Sequence, residues 1–506
     1  MKELLCAGAA RANDYYTIHS LGIPERELIL RVASKAMNIL TEGYDLSAPC
    51  LVCGHGNNGA DGFALALLLH EIGCKATIVY TGKQKADGQP DTGAMSVSCK
   101  EFYGQAVKAG IPVLCNALPS KASVMIDAIF GIGLHGEISE DICRIIDAMN
   151  QSRVPILSID IPSGVYADTG ETAQTAICAT ETMTVQCDKP GLHIYPGTDH
   201  AGRITVADVG IENCPDSPAP SFFALEQSDI FALLPLRPTR AHKGTFGRVL
   251  VIAGSDGMAG AAYMAAMGAF RSGAGLVEIF TPEQNRIILQ QLIPEAILTC
   301  YESDQDLSLA LSAAIARANA IVLGCGIGQG ELARKAVALT LTNAKVPLII
   351  DADALNLVAA QPALLQNLDV GQKARTVMTP HAAEAARLLG ISIEQIVNHV
   401  YASAQALVAQ YGTSVLLKDA HSLICAHDGS ACYVNLTGST ALSTAGSGDI
   451  LAGVMGGLSA AKTNVQPMHA TAGLAAYLHG LAGQRAEQAV GARAAMARDI
   501  LQGLID

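Results

Sequence analysis

The chain of 506 residues has no tryptophan, only 4% aromatic residues and only 16% charged residues. Its 33 Lys and Arg residues are outnumbered by 46 Asp and Glu residues, which gives a formal net charge of −13. Proteins that bind nucleic acids cluster Lys and Arg into basic runs or faces, and the sequence contains no such run. The composition therefore argues against a nucleic-acid partner.

Long apolar segments are also missing. The uncharged, apolar-rich stretches, such as residues 258–270, are shorter than the roughly 18 residues that a membrane-spanning helix requires. The apolar patch at residues 4–10 is short for the core of a signal peptide, and the charge of Lys2 before it is offset by Glu3. We therefore expect a soluble, cytoplasmic protein with no membrane partner.

The sequence has few signs of a disulfide framework or a zinc site. Its 14 cysteines are scattered through apolar segments of a chain that is too long to need disulfides for stability. Cys50 and Cys53 form the one CxxC pair, and no second pair is present to complete a zinc site. Reduced, buried thiols are therefore favoured over metal binding or redox use.

What the sequence does contain is a repeated alternation of β-branched runs, glycine-rich turns and Ala/Leu-rich helical patterns, which is typical of α/β folds with parallel sheets. The predicted strands are residues 51–53, 76–80, 124–129, 156–161, 249–253, 276–280, 320–323, 348–351, 376–378 and 414–417. Residues 211–221 hold Pro215, Pro218 and Pro220 without an apolar period, as expected of an exposed connector. We predict two different α/β domains, residues 1–220 and 221–506.

A glycine-rich segment at residues 54–62 follows the first clear strand and precedes a helix predicted over residues 63–70. Its glycines allow close approach of a ligand to the backbone, and a helix N-terminus favours an anion. The spacing matches neither the dinucleotide fingerprint nor a Walker A loop, so an ordinary capped turn stays an alternative. The oxygen-bearing side chains of Asn57, Asn58 and Asp61 could also bind a hard cation.

Two predicted strands carry a carboxylate near their carboxyl end, where open α/β sheets bind ligands, namely Asp127 and Asp160. A buried carboxylate is costly unless it is paired or bound to a cation, so both are candidate site residues. Asp168 lies in an Ala-Asp-Thr-Gly sequence that is typical of a structural turn. Lys189 could pair with one of these carboxylates, although spacing alone favours a solvated lysine.

The C-terminal half contains Gly446-Ser447-Gly448-Asp449 at the start of an apolar helix. Backbone N–H groups at such a helix start bind anions, and Asp449 there can accept a proton as phosphoryl transfer begins. Asp449 could equally serve as a helix N-cap. The glycine-rich residues 254–260 are a weaker signal, because a tight turn explains them equally well. His381 follows Thr379-Pro380 at a strand end, where ligand binding is favoured over a buried structural role.

The motifs of the N-terminal half resemble the N-terminal domain of the NAD(P)H-hydrate repair enzymes. The resemblance covers residues 10–212 and includes the 54–62 segment, Asp-x-x-x-Gly-x-Gly-Leu at 127–134 and Asp-Ile-Pro-Ser-Gly-Val at 160–165. It implies a Rossmann-like epimerase that interconverts the R and S hydrates of NADH and NADPH, with Asp160 and Lys189 moving protons. The implied potassium ligands are Asn58, Asp127 and Ser163. The implied hydrate contacts are Asn57, Asn58, Gly59, Ala60, Asp61, Gly131, Ile132, Gly133, Leu134 and Asp160.

The C-terminal motifs resemble the ribokinase-like superfamily and, within it, the NAD(P)H-hydrate dehydratases over residues 228–504. The resemblance implies that water is removed from the S hydrate with magnesium and with ADP in bacteria or ATP in eukaryotes, and that Asp449 is the catalytic base. The implied hydrate contacts are Ala261, Gly328, His381 and Asp449. The implied nucleotide contacts are Lys418, Asp419, Ala420, His421, Ser422 and Gly448.

The chain departs from the family pattern at several positions. Ala60 replaces a glycine, Cys325 replaces a proline, and Ala382-Ala383 replaces the Pro-Gly of the usual His-Pro-Gly-Glu. Residues 418–422 also differ from the usual Lys-Gly-x-x-Thr. These changes bear on the backbone around His381 and on nucleotide preference.

The sequence therefore predicts two three-layer α/β domains that act as a bifunctional, ADP-dependent repair enzyme for NAD(P)H hydrates. The family often assembles, which implies a homo-oligomer, and the sequence does not distinguish NADH hydrate from NADPH hydrate. One alternative is a ribokinase-like vitamin or sugar kinase with an accessory N-terminal ligand-binding domain. Another is a non-catalytic ligand sensor, against which the presence of both Asp160 and Asp449 argues.

Overall fold

The computed structural model describes residues 1–217, 219 and 221–505. It contains two compact units, Glu3–Phe222 and the remainder from Phe223 onward together with Met1–Lys2. Pro218 and Pro220 of the predicted connector lie outside the described residues. Each unit is an α/β structure, so the predicted fold class is confirmed.

The elements of the first unit alternate between strands and helices along most of their length. A short strand, β1 (Lys2–Leu4), opens the chain. The helices are α1 (Ala7–His19), α2 (Glu25–Gly43), α3 (Asn57–Glu71), α4 (Val97–Lys108), α5 (Glu140–Gln151) and α6 (Gly197–Ala201). The strands are β2 (Pro49–Cys53), β3 (Thr77–Tyr80), β4 (Val113–Cys115), β5 (Val124–Ala128), β6 (Ile156–Ile159), β7 (Glu181–Val185) and β8 (Arg203–Ala207).

The sheet of the first unit is parallel and runs in the order β4-β3-β2-β5-β6-β7-β8. Every residue of β2 and β5 is buried, as expected for strands covered on both faces. Leu51 and Ile126 pack on one face with residues of α2, α3 and α4. Cys50, Val52 and Met125 pack on the other face with α5. Alternate side chains thus build the two cores of a three-layer structure.

The second unit has a larger sheet with helices distributed along it. Its strands are β9 (Phe222–Ala224), β10 (Arg248–Ile252), β11 (Leu276–Pro282), β12 (Ile297–Tyr301), β13 (Ala320–Leu323), β14 (Leu348–Ile350), β15 (Thr376–Met378), β16 (Ser414–Leu417), β17 (Leu423–Cys425) and β18 (Cys432–Val434). Its helices are α7 (Gln227–Leu233), α8 (Ala259–Arg271), α9 (Arg286–Leu292), α10 (Asp304–Arg317), α11 (Glu331–Asn343), α12 (Asp353–Ala360), α13 (Ala363–Gln366), α14 (Val370–Ala374), α15 (Ala382–Leu389), α16 (Ile393–Asn398), α17 (Val400–Tyr411), α18 (Ser447–Ala460), α19 (Met468–Val490) and α20 (Ala497–Gly503).

The strand order in this sheet is β9-β18-β17-β16-β15-β14-β13-β10-β11-β12. The pairs from β12 to β16 are parallel, and β16, β17 and β18 pair antiparallel. Helices α8 and α18 approach each other at backbone distance, because a Cβ on Gly453 would lie 2.0 Å from the carbonyl oxygen of Ala265. This close packing fixes where α18 begins, and α18 carries Asp449.

Every predicted strand corresponds to a strand of the structure, with ends that differ by a few residues at most. The helix predicted over 63–70 begins earlier, at Asn57, so the second half of the glycine-rich segment is helical rather than a turn. Strands β4, β7, β8 and β12 were not predicted, because they carry polar or partly exposed residues. Strands β1, β9, β17 and β18 were also missed, and each is only three residues long. Among the described residues, no helix combines the length and apolar character needed to span a membrane.

Candidate active sites

A cavity of about 740 Å³ opens in the first unit at the carboxyl ends of the central strands. Its walls come from α1, the start of α3, the loop after β5 and the segment between β7 and Lys189. Most of the predicted hydrate contacts line it, namely Asn57, Asn58, Asp61, Gly131, Ile132, Gly133, Leu134 and Asp160. Gly59 and Ala60 are buried and are not among the lining residues. The Gly-to-Ala departure at position 60 therefore faces the interior of the domain.

Asp160 and Lys189 form a buried ion pair in this cavity. Lys189 Nζ lies 2.6 Å from Asp160 Oδ1, and the two side chains are 1% and 13% exposed. The other carboxylate oxygen of Asp160 accepts the N–H of Ile132 at 3.1 Å. Asp160 has a φ of 73°, a left-handed conformation that is uncommon for a residue with a Cβ and that turns the chain directly after β6. The expectation of a solvated Lys189 was wrong, because spacing alone does not reveal this pairing.

The Lys189 ammonium is held by more than the carboxylate. It also donates to Thr184 Oγ1 at 2.7 Å and to the carbonyl oxygen of Val185 at 2.8 Å. Burial opposes the charge, but the negative charge of Asp160 and the neighbouring Cys187 and Asp188 side chains hold the pKa of Lys189 above its ordinary value. The lysine therefore stays charged beside Asp160.

The three predicted potassium ligands meet around the loop that follows β5. Ser163 Oγ donates to Asp127 Oδ1 at 2.5 Å and accepts the N–H of Phe130 at 2.9 Å. A Cβ on Gly131 would lie 3.5 Å from Asn58 Cγ, so Asn58 contacts the same loop. Burial raises the pKa of the fully enclosed Asp127 carboxyl, and hydrogen bonds from Ser163 and Ser158 oppose that rise. Among the described residues, Asn58 Nδ2 is buried without a hydrogen-bond partner.

The unpaired amide of Asn58 is the observation that favours a bound cation in this loop. A rotation of the Asn58 amide would present its oxygen where the nitrogen finds no partner. Carboxylate, hydroxyl and amide oxygens are the donors that hard monovalent and divalent cations take. The residues present thus fit a potassium ion in this loop.

Asp14 is a cavity residue that sequence reasoning missed. It lies in the middle of α1 and lines the cavity with Asp61 and Asp160. Burial and the negative charges of Asp160 and Glu25 raise the pKa of Asp14 to about 6, and Lys189 opposes the rise. Burial also raises the pKa of Asp61 well above its ordinary value. The available signal was that Asp14 is the one acidic residue of its helix.

A second ion pair lies in the second unit, at the carboxyl ends of β14 and β16. Lys418 Nζ lies 2.8 Å from Asp351 Oδ1, which also accepts from Thr379 Oγ1 at 2.7 Å. Glu384 lies 3.8 Å from the same ammonium. Burial opposes the charge of Lys418, but Asp351 and Glu384 hold its pKa above the ordinary value. Lys418 therefore points at these carboxylates rather than along the 419–422 turn.

Asp449 lies in the first turn of α18, beside this pair. The N-cap of α18 is Gly446, with a φ of 90°, so the suggested N-cap role of Asp449 was wrong. Burial and the negative charge of Asp351 raise the pKa of Asp449 to about 7, while a hydrogen bond with Cys325 and the charge of Lys418 oppose the rise. Burial keeps the Cys325 thiol protonated, since its pKa is raised well above the ordinary value.

The glycine loop after β13 positions the remaining predicted hydrate contacts. Gly324, Gly326 and Gly328 all have positive φ values, which only glycine adopts readily. The N–H of Gly328 donates to Asp353 Oδ2 at 2.8 Å. A Cβ on Gly326 would lie 2.9 Å from the Cβ of Ala261, so Ala261 of α8 packs against this loop. Cys325, which occupies the usual proline position, is fully buried and directed at Asp449.

His381 is the N-cap of α15 rather than a buried side chain. The imidazole Nδ1 accepts the backbone N–H of Ala383 at 3.1 Å and that of Glu384 at 3.3 Å. The backbone N–H of His381 donates to Glu384 Oε2 at 2.9 Å. The imidazole is 49% exposed. This capping box replaces the Pro-Gly turn of the family pattern, so the helix start is formed without it.

The predicted nucleotide contacts divide into two groups. Gly448 lies beside the ion pair, since a Cβ there would lie 3.6 Å from Lys418 Nζ. Residues 419–422 form a separate exposed turn in which Ser422 Oγ donates to the carbonyl oxygen of Asp419 at 3.1 Å. In the first turn of α18, Ser447 Oγ lies 3.2 Å from Nε2 of His479. Burial lowers the pKa of His479 to about 4. Sequence reasoning missed this neutral histidine, because it lies within an Ala-rich helix that has no motif.

Comparison with known proteins gives matches in both units. A family model described as NAD(P)H-hydrate dehydratase matches residues 249–505, and one described as YjeF-related protein N-terminus matches residues 25–191. A protein of Coxiella burnetii (strain RSA 493 / Nine Mile phase I), named bifunctional NAD(P)H-hydrate repair enzyme Nnr, is 33% identical over 494 residues. The alignment spans 96% of this chain and 95% of that protein.

A second relative matches nearly the whole chain, and a solved structure matches its C-terminal half. A protein of Escherichia coli (strain K12) with the same name is 34% identical over 487 residues, which span 96% of this chain and 90% of that protein. The crystal structure of an ADP/ATP-dependent NAD(P)H-hydrate dehydratase from Bacillus subtilis, obtained with ATP and Mg²⁺, is 31% identical. It covers 55% of this chain and 95% of its own, with a TM-score of 0.48.

Proposed function

The chain belongs to the family of bifunctional NAD(P)H-hydrate repair enzymes. From this premise, we propose that residues 1–220 epimerise the R and S hydrates of NADH and NADPH, and that residues 221–506 dehydrate the S form with ADP. The observation that carries the proposal is that each unit places an aspartate–lysine pair, largely withdrawn from solvent, beside a further carboxylate at the carboxyl ends of its strands. Spontaneous hydration yields both epimers, so a dehydratase that consumes one of them benefits from an attached epimerase.

In the dehydratase, Asp449 is the proposed base. Its carboxylate takes the proton of the substrate hydroxyl as the oxygen attacks the terminal phosphorus of ADP, which releases AMP. The phosphorylated hydroxyl then leaves as phosphate, and loss of a proton from the neighbouring carbon forms the double bond of NAD(P)H. Hydroxide alone is a poor leaving group, which is why the nucleotide is consumed.

The start of α18 supports the charge that develops in this step. We propose that the N–H groups of Gly448 and Asp449, in the first turn of α18, donate to an incoming phosphate. Lys418 is proposed to fix Asp351 and to add positive charge beside Gly448. Magnesium, when bound with the nucleotide, would neutralise phosphate charge. Asp351 Oδ2 is the protein oxygen proposed to hold the ion, because the hydrogen bonds from Thr379 and Lys418 both go to Oδ1.

In the epimerase, the hydrate is proposed to bind in the cavity lined by Asn57, Asp61, the 131–134 loop and Asp160. Reversible loss of the hydroxyl group makes the carbon planar, so water can return to either face. Asp160, positioned by its ion pair with Lys189, exchanges the proton. Potassium, bound by Asn58, Asp127 and Ser163, would add positive charge to the loop that faces the substrate.

Further proposals rest on the family resemblance. We propose that His381, Ala261 and Gly328 contact the hydrate, and that residues 418–422 contact the adenine nucleotide. A homo-oligomer is proposed because the family often assembles. A cytoplasmic location is proposed because all of the described cysteines are free thiols.

The test is to incubate the purified protein with mixed R and S NADH hydrate, Mg²⁺, K⁺ and ADP, and to follow the absorbance of recovered NADH. We expect complete recovery of NADH with the wild-type protein. Asp160→Asn should give rapid recovery of the S fraction only, followed by a slow phase. Asp449→Asn should abolish recovery. If neither ADP nor ATP gave any recovery, the dehydratase assignment would be wrong. A stable phosphorylated product would instead favour the vitamin or sugar kinase alternative.

A further inference from the structure

Asp14 has no structural partner that explains its position. It lines the cavity of the first unit with Asp61 and Asp160, yet no hydrogen bond or ion pair to the carboxylate of Asp14 or Asp61 occurs among the residues that the structure describes. By contrast, the neighbouring Asn13 is buried and bonds to Asn213 and to the N–H of Cys214. The Asp14 side chain therefore lines the cavity although no hydrogen bond or ion pair from the described residues fixes it there.

The helix gains nothing from Asp14 either. Asp14 lies in the middle of α1 (Ala7–His19), away from both ends, so it neither caps the helix nor interacts favourably with the helix dipole. Withdrawing an unpaired carboxylate from water destabilises a fold. A residue that costs stability and makes no contact is expected at a functional site.

Asp14 and Asp160 lie in the same cavity but in different electrostatic surroundings. Asp160 is held by two donors, the Lys189 ammonium at 2.6 Å and the N–H of Ile132 at 3.1 Å. Asp14 faces the carboxylates of Asp160 and Glu25 without a partner, and these charges together with burial raise the pKa of Asp14 to about 6, against the opposing charge of Lys189. A pair of titratable groups whose surroundings separate their protonation states is typical of an acid and a base.

We propose that Asp14 is the general acid of the epimerase and that Asp160, fixed by Lys189, is the matching base. The proposal rests on the epimerase function proposed above and adds to it a second catalytic residue, supplied by α1. Asp61 is the third carboxylate of the cavity. Burial, together with the charges of Asp160 and Glu25, raises the pKa of Asp61 well above its ordinary value, so Asp61 would serve as a hydrogen-bond donor to the substrate.

In the proposed conversion of the R to the S hydrate, Asp14 first gives its proton to the hydroxyl oxygen. The carbon–oxygen bond then breaks, its electron pair stays on the oxygen, and water leaves. The ring nitrogen donates its lone pair to the same carbon, which becomes a planar iminium. Water then attacks the other face, and Asp160 takes the released proton. Solvent returns that proton to Asp14, and the reverse reaction exchanges the two roles.

The experiment starts from pure R hydrate with K⁺ and no nucleotide, so that the dehydratase is silent, and follows formation of the S hydrate by chromatography. We expect Asp14→Asn to lower kcat by roughly 100-fold or more, the usual contribution of a positioned acid. Asp14→Glu, which keeps a transferable proton, should retain part of the rate. The matched control is Asp199→Asn, which removes an exposed carboxylate of α6 in the same unit and should leave the rate unchanged.

Two further readouts separate catalysis from structure. Because Asp14 must carry a proton, wild-type kcat/KM should fall as the pH rises through about 6, and this limb should be absent from the residual activity of Asp14→Asn. The Tm of Asp14→Asn should equal or exceed that of wild type, because a desolvated charge has been removed.

The outcomes are distinguishable. If wild type does not interconvert the epimers, the epimerase function itself is wrong. If wild type is active and Asp14→Asn remains within about twofold of Asp199→Asn, the role of Asp14 alone is overturned. A slow Asp14→Asn enzyme that keeps the alkaline limb, at whatever Tm, would also contradict the assignment.

Discussion

The two units use a similar electrostatic arrangement. In each, a lysine fixes one aspartate, the buried Lys189 with Asp160 at 2.6 Å and the partly buried Lys418 with Asp351 at 2.8 Å. In each, the negative charge of that fixed aspartate, together with burial, raises the pKa of another carboxyl group in the same site. The lysine of each site opposes that rise, because its positive charge favours ionisation of the same carboxyl group.

The units differ in which carboxylate the sequence motifs identify. In the second unit the motif identifies Asp449, the carboxylate with a pKa of about 7. Asp351, which pairs with Lys418, is the neighbour whose charge contributes to that raised pKa. In the first unit the motif identifies the lysine-bound Asp160, and the carboxylate with the raised pKa, Asp14, lies on a different helix. The difference is that local sequence identifies the carboxylate with the raised pKa in the second unit, whereas in the first unit only the fold places that carboxylate in the site.

The largest expected effect is the separation of the two activities by Asp449→Asn. Loss of the base should lower dehydration of pure S hydrate by roughly 100- to 10,000-fold. Interconversion of R and S hydrates should stay unchanged, because each unit has its own core. Chromatography of both epimers with and without ADP measures both rates. Equal loss of the two activities would contradict the division between the units.

The next effect concerns the ion pair of the first unit. Lys189→Met should remove epimerase activity and lower the free energy of unfolding by about 3 to 5 kcal/mol, because Asp160 would be left buried and unpaired. Urea denaturation followed by circular dichroism measures the loss.

Two variants control for this effect. Arg144→Met breaks an exposed pair with Asp141 and should change stability by less than about 0.5 kcal/mol. Adding Asp160→Asn to Lys189→Met should restore part of the stability. If the double variant were no more stable than Lys189→Met, charge burial would not be the cause.

A smaller effect is expected in the pH dependence of the dehydratase. Asp449 must be ionised to accept a proton, so kcat/KM for S hydrate should rise as the pH increases through about 7 and then level off. Asp351→Asn removes the charge that raises the pKa of Asp449, so the rise should move to lower pH. Asp428→Asn, which changes an exposed hairpin carboxylate, should leave the midpoint in place. A midpoint unmoved by Asp351→Asn would exclude this coupling.

The smallest effect concerns the departure at His381. His381→Ala removes the N-cap of α15 and should lower stability by about 1 kcal/mol. Restoring the family residues, Ala382→Pro with Ala383→Gly, should cost less than that, since proline is tolerated at the first helical position. Thermal unfolding with KM for the hydrate checks both variants. A raised KM in His381→Ala without a raised KM in the restored variant would support direct contact with the hydrate.

Much of the fold was accessible from the sequence because buried parallel strands carry continuous apolar runs. The predicted strands are the central ones of each sheet, such as β2, β5, β10 and β13, which are covered on both faces. The missed strand β7, by contrast, reads Glu-Thr-Met-Thr-Val, and its polar residues are buried through contacts such as that of Thr182 with Ala201. Such strands are stabilised by partners that no local pattern reveals.

The sequence by itself determined the α/β class, the central strands and the motif residues Asp127, Asp160 and Asp449, because glycine-rich turns and strand ends have local signatures. Only the tertiary structure decided that Lys189 is buried, that Lys418 faces Asp351, that His381 caps a helix and that Asp14 joins the cavity. The physical reason is that charge state and pairing depend on groups far apart in sequence, which only the folded chain brings within Coulombic range in a poorly solvated site.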